Sequence, residues 1–378
     1  MDQSPAHPTI KPKSGVLAIT PYVGGEASVA GANRVRKLSA NENPHGPSPA
    51  AKAAYLAAGE ALGLYPEGGA VELRAAIAEM HGLDAERVVC GAGSDELIAL
   101  LCQAYAGEGD EVLHSAHGFL MYKLSALAAN ATPVTAPERD LTADIDALIA
   151  AMTPRTRLVF LANPNNPTGT MVPAEDLRRL ADALPAQALL VIDGAYAEYV
   201  WRPRFDAARS AVRAAPDDPG LALAGSRGNV VMTRTFSKIH GLGALRLGWA
   251  YGPAHVIDVL NRVRGPFNVT APALAAGEAA MRDQAYVLAE AEANEAARDG
   301  LAEAIRAAGL RVVPSMANFI LVEAGDKVAA LDDALRARGL IARRVDGYGL
   351  PGYLRISIGT EEDCAAVAEA VNAFTASP

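Results

Sequence analysis

The chain has 378 residues, of which 51% are hydrophobic and 20% charged, and this balance excludes a disordered or fibrous protein. Its length is enough for one large domain and a smaller one. A net charge of −9 without a block of basic residues argues against nucleic acid as a partner.

Three features of the sequence indicate where the protein resides and whether it binds a metal: the N-terminal segment, the cysteines and the histidines. No apolar run approaches the roughly 20 residues of a membrane span, and residues 1–13 lack the apolar core of a signal peptide. The cysteines Cys90, Cys102 and Cys364 show no C-x-x-C spacing, which is typical of buried thiols in a reducing compartment. The histidines show no metal-ligand spacing. We therefore predict a cytoplasmic protein that binds neither a metal nor a membrane.

The first two thirds of the chain predict a large α/β domain. Residues 1–48 are rich in Pro, Gly and Asn and predict an extended arm. From 49 to 275, apolar runs alternate with helical segments, as in a mainly parallel sheet with helices on both faces. The predicted strands are 88–90, 111–114, 158–161, 189–192 and 229–233, and the predicted helices are 95–106, 119–129 and 174–183. The polar stretch 201–228 predicts a surface excursion.

The C-terminal third predicts a smaller domain. A long alanine-rich helix over 283–308 comes first, followed by further strands and helices. These are a strand at 319–323, a helix at 328–338, a strand at 353–358 and a helix at 361–374. This alternation predicts a second α/β domain over 276–378, which the N-terminal arm joins.

Polar motifs follow the predicted strands, where ligands bind in parallel α/β sheets. The sequence G-A-G-S at 91–94 opens a helix whose free N–H groups suit an anion, although a tight turn explains the glycines equally well. It lacks the third glycine of a dinucleotide site and the G-K-[ST] of a P-loop. The loop N-P-N-N-P-T-G at 163–169 has two prolines that restrict its backbone and orient the Asn166 amide.

Two charged residues lie in apolar strands. Asp193 ends a buried strand and needs a partner, either a protonated pyridine nitrogen or the start of a following helix. Arg355 lies in an alternating strand, where a guanidinium binds a carboxylate or phosphate, or joins a surface ion pair.

The segment T-F-S-K at 235–238 follows the 229–233 strand, and Arg246 comes shortly after it. A lone lysine after a strand is usually a solvated charge. Here two hydroxyls and an arginine accompany Lys238, and this is the combination that binds a phosphate. A phosphate beside a lysine indicates an aldehyde cofactor bound to that lysine.

Taken in this order, the motifs resemble the fold-type I pyridoxal-phosphate aminotransferases and, within them, the histidinol-phosphate aminotransferase family. The resemblance covers nearly the whole chain. It includes L-S-A-N-E-N-P at 38–44, Y-P-E-G at 65–68, G-A-G-S-D-E at 91–96, the loop at 163–169, Asp193-x-x-Tyr196, Ser237-Lys238 with Arg246, and L-R-I-S-I-G at 354–359.

The resemblance implies pyridoxal 5'-phosphate as the cofactor. Lys238 would bind its aldehyde covalently and then move the α-proton of the substrate. Asp193 would pair with the pyridinium nitrogen, and Asn166 and Tyr196 would hydrogen-bond the phenolate oxygen. Phe119 would stack on the ring.

By the same resemblance, further residues would hold the anionic groups. The cofactor phosphate would lie among Gly93, Ser94, Thr235 or Ser237, and Arg246. Tyr65 would reach the phosphate of the neighbouring subunit's cofactor in a twofold homodimer. Arg355 would bind the substrate anion, and Tyr22 would belong to a lid over the substrate.

The implied reaction converts L-histidinol phosphate and 2-oxoglutarate into imidazole acetol phosphate and L-glutamate, in histidine biosynthesis. An aromatic amino-acid aminotransferase and a decarboxylase of a phosphorylated amino acid use the same cofactor and remain open. A nicotinamide-dependent oxidoreductase would leave the lysine and arginine cluster unexplained. A non-catalytic regulator would need a DNA-reading module, which residues 1–48 do not contain.

Two segments depart from the family pattern. S-A-H-G at 115–118 stands where Pro-Thr often precedes the stacking aromatic, and the segment 201–228 is longer than usual.

Overall fold

The computed structural model describes residues 10–21, 34–206, 211–215 and 217–376. The strands in these residues are β1 (Arg36–Lys37), β2 (Val88–Gly91), β3 (Glu111–Ser115), β4 (Thr132–Ala136), β5 (Glu138–Arg139), β6 (Thr142–Ala143), β7 (Thr156–Ala162), β8 (Leu189–Asp193), β9 (Arg204–Asp206), β10 (Ala211–Arg213), β11 (Val230–Thr235), β12 (Gly248–Tyr251), β13 (Arg311–Val313), β14 (Phe319–Glu323), β15 (Leu340–Ile341), β16 (Arg343–Arg344) and β17 (Tyr353–Ser357).

The helices in the same residues are α1 (Ser14–Leu17), α2 (Pro49–Ala57), α3 (Val71–His81), α4 (Ser94–Tyr105), α5 (Leu120–Ala128), α6 (Ile145–Ala151), α7 (Ala174–Asp182), α8 (Pro219–Ser226), α9 (Ala254–Val263), α10 (Ala271–Arg282), α11 (Gln284–Ala307), α12 (Val328–Arg336) and α13 (Glu361–Ala376). Within the described part of the chain, no helix is long and apolar enough to cross a membrane.

The large sheet has seven strands in the order β2-β12-β11-β8-β7-β3-β4. The ladders from β11 to β4 are parallel, and β12 is antiparallel to both of its neighbours. Every residue of β2, β3, β8, β11 and β12 is buried, as in a parallel sheet that helices cover on both faces. The predicted, mainly parallel α/β sheet is confirmed. The antiparallel β12 was not among the predicted strands.

Helices cover both faces of this sheet. Because strand side chains alternate in direction, Val230 and Met232 pack in one cluster and Val231 in the other. The first cluster includes α3, α7, α8 and α10, and the second includes α4, α5 and α9. The central strands are therefore shielded from water on both faces, whereas the edge strand β4 is partly exposed.

The C-terminal part is built on a second, four-stranded antiparallel sheet in the order β13-β14-β17-β16. The helices α11, α12 and α13 share an apolar cluster with it. The strand β1 pairs in parallel with β15, and Leu38 lies in the same cluster. The second half of the N-terminal arm is thereby attached to this part.

The helix α10 bears on where the two parts meet. The predicted boundary at 275/276 falls inside α10, whose buried side chains Ala273, Ala276, Ala280 and Met281 all belong to the core of the large sheet. The second half of the next helix, α11, packs in the C-terminal cluster, whereas Val287 and Ala291 of its first half pack with Tyr199 and Phe319. We therefore propose Asp283, between these two helices, as the boundary.

The predicted surface excursion at 201–228 is wrong for its second half. The helix α8 buries Leu221 and Leu223 in the same cluster as β11. Asp218 is buried too, and its side chain accepts hydrogen bonds from the first turn of α8. The glycines and prolines of the segment indicated a loop, whereas its second half forms a short helix that packs on the core.

Candidate active site

A cavity lies at the carboxyl edge of the large sheet. Thr233 and Ala162 both pair in register with Asp193, so β7, β8 and β11 end side by side. Because β12 runs the opposite way, Arg246 enters from the same edge. Nine of the predicted site residues line this cavity: Ser94, Phe119, Asn166, Asp193, Tyr196, Thr235, Ser237, Lys238 and Arg246. A larger apolar groove beside α11 and α13 contains none of them.

Lys238 lies three residues beyond the end of β11, with its amine in the cavity. Nζ donates a hydrogen bond to the Ala40 carbonyl at 3.1 Å and lies 5.8 Å from the centre of the Tyr196 ring. Desolvation, and then the charge of Arg355, lowers the pKa of the amine from 10.5 to about 8. A larger neutral fraction at physiological pH makes this amine a better nucleophile and base than a solvated lysine.

Asp193 is a buried carboxylate with neutral partners. It accepts hydrogen bonds from the Tyr122 hydroxyl at 2.8 Å and from the Ala195 amide at 3.1 Å. Burial raises the pKa of Asp193 to about 6, and the bond from Tyr122 opposes this rise. A cationic group in the cavity would stabilise the ionised carboxylate. The Ala195 bond resembles the predicted capping contact, but Tyr122 holds the other oxygen.

An anion-binding cradle forms one end of the cavity. Gly93, with φ at +88°, precedes α4, whose first N–H groups are free to hold an anion. The positive φ favours glycine at this position, and Nη2 of Arg246 lies close to it, only 2.5 Å from where a β-carbon would be. Arg246 also donates to Ser237 Oγ at 3.1 Å and to Asp95 Oδ2 at 3.3 Å. Hydroxyl, amide and guanidinium donors thus converge on one point.

Arg355 approaches the cavity from the four-stranded sheet. Its Nη1 donates to Asn166 Oδ1 at 2.5 Å and its Nη2 to the Ser39 carbonyl at 2.8 Å. The guanidinium lies 5.4 Å from the centre of the Phe319 ring, a cation–π distance. The residue is buried, so the alternative of a surface ion pair is wrong. The site therefore combines residues from both sheets.

Comparison with known proteins places the chain in a family. A model of aminotransferase class I and II matches residues 33–371. The chain belongs to the aminotransferase class I and II family.

Relatives of this aminotransferase cover its whole length. The histidinol-phosphate aminotransferase of Dinoroseobacter shibae is 56% identical over 369 residues, which are 97% of this chain and 98% of the relative. The enzyme of that name from Rhodospirillum rubrum is 51% identical over 370 residues, 97% of each chain.

Solved aminotransferase structures share the fold. The histidinol-phosphate aminotransferase of Sinorhizobium meliloti, in complex with pyridoxal-5'-phosphate, has a TM-score of 0.84 at 27% identity, covering 98% of this chain and 99% of that one. Aspartate aminotransferase of Thermus thermophilus, as a double mutant, has a TM-score of 0.79 at 24% identity, covering 97% and 100%.

One predicted residue of the aminotransferase site, Tyr65, lies away from the cavity, whereas Gly93 and Arg355 lie beside residues of its lining. Tyr65 is 84% exposed and stacks on Phe267 with ring centres 4.8 Å apart. Among the described residues, its aromatic ring partner is Phe267, which is not a predicted site residue. Tyr22 lies outside the described residues.

Two side chains that contact the site, and a third residue on a strand beside it, are not among the predicted residues. Tyr122 bonds Asp193, Asn41 donates to the Tyr196 hydroxyl at 2.8 Å, and Arg343 pairs in register with Arg355. Directly opposite residues on adjacent strands point to the same face, so Arg343 and Arg355 share one face of the sheet. The sequence signals were weak: Tyr122 follows Phe119 by one helical turn, and Asn41 lies inside the 38–44 motif.

Proposed function

We propose that this chain is a pyridoxal 5'-phosphate-dependent aminotransferase that converts L-histidinol phosphate and 2-oxoglutarate into imidazole acetol phosphate and L-glutamate. The observation that carries the proposal is the full-length identity of 51% and 56% to proteins named histidinol-phosphate aminotransferase. The lysine and the carboxylate that such a reaction requires line a single cavity, and Arg355 bonds Asn166 of its lining. The reaction belongs to histidine biosynthesis.

The residues present fit the cofactor. The cradle of Gly93, Ser94, Ser237 and Arg246 suits its phosphate, because amide, hydroxyl and guanidinium donors converge there. Thr235 lines the same end, where its hydroxyl accepts a bond from the Ser237 amide at 3.1 Å.

The opposite end of the cavity suits the ring. Asp193 is the group for the pyridinium nitrogen, since it is a buried carboxylate whose hydrogen-bond donors are neutral. Asn166 and Tyr196 carry the polar atoms for the phenolate oxygen, and Phe119 supplies an aromatic face. When bound, the cofactor supplies an aldehyde that condenses with amines and a ring that withdraws electrons from the α-carbon.

Lys238 is the base of the reaction. Its pKa of about 8 is close to the working pH, so the amine can both accept a proton from a substrate carbon and give that proton back. The Ala40 carbonyl and the Tyr196 ring restrict where Nζ lies. The half-buried position of Lys238 limits the access of bulk water to this proton.

The substrate anion lies at Arg355. A guanidinium binds the phosphate of histidinol phosphate and the carboxylate of glutamate through the same pair of parallel hydrogen bonds. Arg343 lies opposite Arg355 on the same face of the sheet, and two guanidiniums suit a dianionic phosphate better than a single carboxylate. This favours a phosphorylated amine over phenylalanine.

The test is a titration of the purified holoenzyme with L-histidinol phosphate, phenylalanine and glutamate, followed by the cofactor absorbance and by kcat/KM. We expect the ratio of kcat/KM values to favour L-histidinol phosphate over phenylalanine, and Arg343→Gln to raise KM for L-histidinol phosphate more than for glutamate. A preference for phenylalanine identifies an aromatic amino-acid aminotransferase, and carbon dioxide release without a keto acid identifies a decarboxylase.

We also propose a cytoplasmic, twofold homodimer in which Tyr65 reaches the cofactor phosphate of the neighbouring subunit. Its support is the exposed, stacked position of Tyr65 at one end of a group of exposed apolar side chains. Tyr22 in the N-terminal arm is proposed as part of a lid over the substrate.

A further inference from the structure

The turn at 115–118 departs from the family pattern, and none of the roles above uses it. It follows β3 and precedes Phe119, the aromatic side chain at the cavity. The Gly118 amide donates to the Ser115 carbonyl at 3.0 Å, which closes the turn. His117 is half-buried and occupies its tip.

Both backbone groups of His117 are held by the large part of the molecule. Its amide donates to Glu138 Oε1 at 3.0 Å, and its carbonyl accepts from Asn165 Nδ2 at 3.1 Å. Asn165 belongs to the 163–169 loop and precedes Asn166, which bonds Arg355. The backbone of His117 is therefore tied to the loop that lines the cavity.

The imidazole of His117 points the other way, to the part of the chain that carries Arg355. Its Nδ1 lies 2.6 Å from the Tyr348 carbonyl, in the turn between β16 and β17. A carbonyl oxygen can only accept, so Nδ1 carries a proton in this contact. Gly349, with φ at +76°, lies against the ring, and a β-carbon there would be 3.6 Å from Cε1.

We propose that His117 is a positioning residue for the substrate anion. Its side chain links the turn before Phe119 to the turn between the strands of Arg343 and Arg355. The first turn precedes Phe119, which lines the cavity, and the second joins the strand of Arg343 to the strand of Arg355, whose guanidinium bonds Asn166 of the cavity lining. The separation of these two turns sets the distance between Phe119 and Arg355. It thereby decides whether an amine that bears an anion can contact both residues at once.

The link acts through Arg355 rather than on the reacting atoms. Loss of the bond leaves the lysine, the carboxylate and the phosphate cradle in place, and frees the turn at 346–349. We therefore expect a weaker grip on the substrate anion and an unchanged chemical step. The expected rise in KM is about five- to tenfold, the range for one lost hydrogen bond at a partly buried site.

The test compares three substitutions of His117 in the holoenzyme. In His117→Asn the amide nitrogen can take the place of Nδ1 and donate to Tyr348, whereas in His117→Gln the amide lies near Nε2. We expect His117→Ala and His117→Gln to raise KM for L-histidinol phosphate about five- to tenfold with kcat within about twofold. His117→Asn is expected to restore KM.

A second readout needs no turnover. Amide hydrogen exchange of residues 346–353 is expected to be faster in His117→Ala and His117→Gln than in the wild type and His117→Asn, with and without cofactor. Should His117→Ala fail to fold, the pair His117→Gln and His117→Asn gives the same comparison.

The proposal is overturned by unchanged KM and exchange in His117→Gln, or by a defect in His117→Asn as large as in His117→Gln. A fall in kcat with KM unchanged also overturns it. The kinetic readout rests on the proposed function. If the wild type does not turn over L-histidinol phosphate, the proposed function fails, and hydrogen exchange still decides whether His117 holds the turn.

Discussion

At the scale of a single residue, the fold destabilises the ammonium form of Lys238. Desolvation against both sheets disfavours its ammonium form, and Arg355 adds electrostatic repulsion, so the pKa falls from 10.5 to about 8. The folded, cofactor-free protein therefore binds a proton on this amine less tightly than the unfolded chain does. The desolvated ammonium therefore lowers the free energy of unfolding, and the same lowered pKa makes the amine a better base.

Because of this destabilisation, we expect that removing the amine raises the free energy of unfolding by an amount that depends on pH. Below pH 8 both states are protonated and the folded state bears the full penalty, whereas between pH 8 and 10.5 only the unfolded chain binds the proton, so the penalty fades. We expect Lys238→Met to raise the free energy of unfolding of the cofactor-free protein by up to about 3 kcal/mol at pH 7. At pH 9.5 the gain should fall to about 1 kcal/mol. Urea unfolding at both pH values measures it, and an equal gain at both contradicts the explanation.

At the scale of elements, a buried ion cluster joins three pieces of the large part. Arg234 on β11 donates to Glu198 Oε1 at 2.7 Å and to Asp218 Oδ2. Glu198 lies in the turn after β8, and Asp218 caps α8 with its other oxygen, which accepts from the Gly220 amide at 2.7 Å. All three side chains are buried. The cluster fixes α8 to the strand that leads to Lys238.

Breaking this cluster on one side should be costly. We expect Arg234→Met to lower the free energy of unfolding by about 3–5 kcal/mol, because two buried carboxylates lose their cation. Asp218→Asn keeps an oxygen for the helix cap and should lose about 1–2 kcal/mol. The matched control is Arg262→Met, which removes an exposed ion pair with Asp258. Urea unfolding compares the three, and an Arg234→Met loss no larger than the control contradicts this account.

At the scale of the whole molecule, exposed apolar side chains lie in the segment around Tyr65. Leu62 is 70% exposed, Leu64 75%, Val71 53% and Phe267 45%. Apolar side chains concentrated in this way on a surface are typical of a protein–protein contact. This is the surface through which we propose that two copies share their active sites.

Shared sites predict complementation between two defective variants. Lys238→Ala lacks the catalytic amine, and Tyr65→Ala weakens cofactor binding at the neighbouring site by about tenfold, the effect of one lost hydrogen bond to a charged group. In a mixed dimer, one site combines Lys238 from one chain with Tyr65 from the other and should be intact. We expect activity of the reassociated mixture above the mean of the separate variants at limiting cofactor. Activity equal to that mean contradicts a shared site.

Local patterns were sufficient for much of the fold and for part of the site. Lys238, Asp193 and Asn166 were predicted because each closely follows an apolar run, and the ends of parallel strands meet at one edge. The strand β14 has the bounds that its apolar run predicts. The strand β12 is short and directly follows the lysine loop, so its apolar residues did not stand out as a separate run.

The sequence by itself determined the mainly parallel sheet and the polar residues that follow its strands, because hydrophobic periodicity and turn chemistry are local properties. Only the tertiary structure decided that Arg355 is buried against Phe319, that Tyr122 holds Asp193, and that His117 spans to Tyr348. The bonds from Tyr122 and His117 join residues 71 and 231 positions apart, and that from Arg355 to the Ser39 carbonyl spans 316. These contacts join residues that are distant along the chain and meet only in the folded molecule, so no local pattern encodes them.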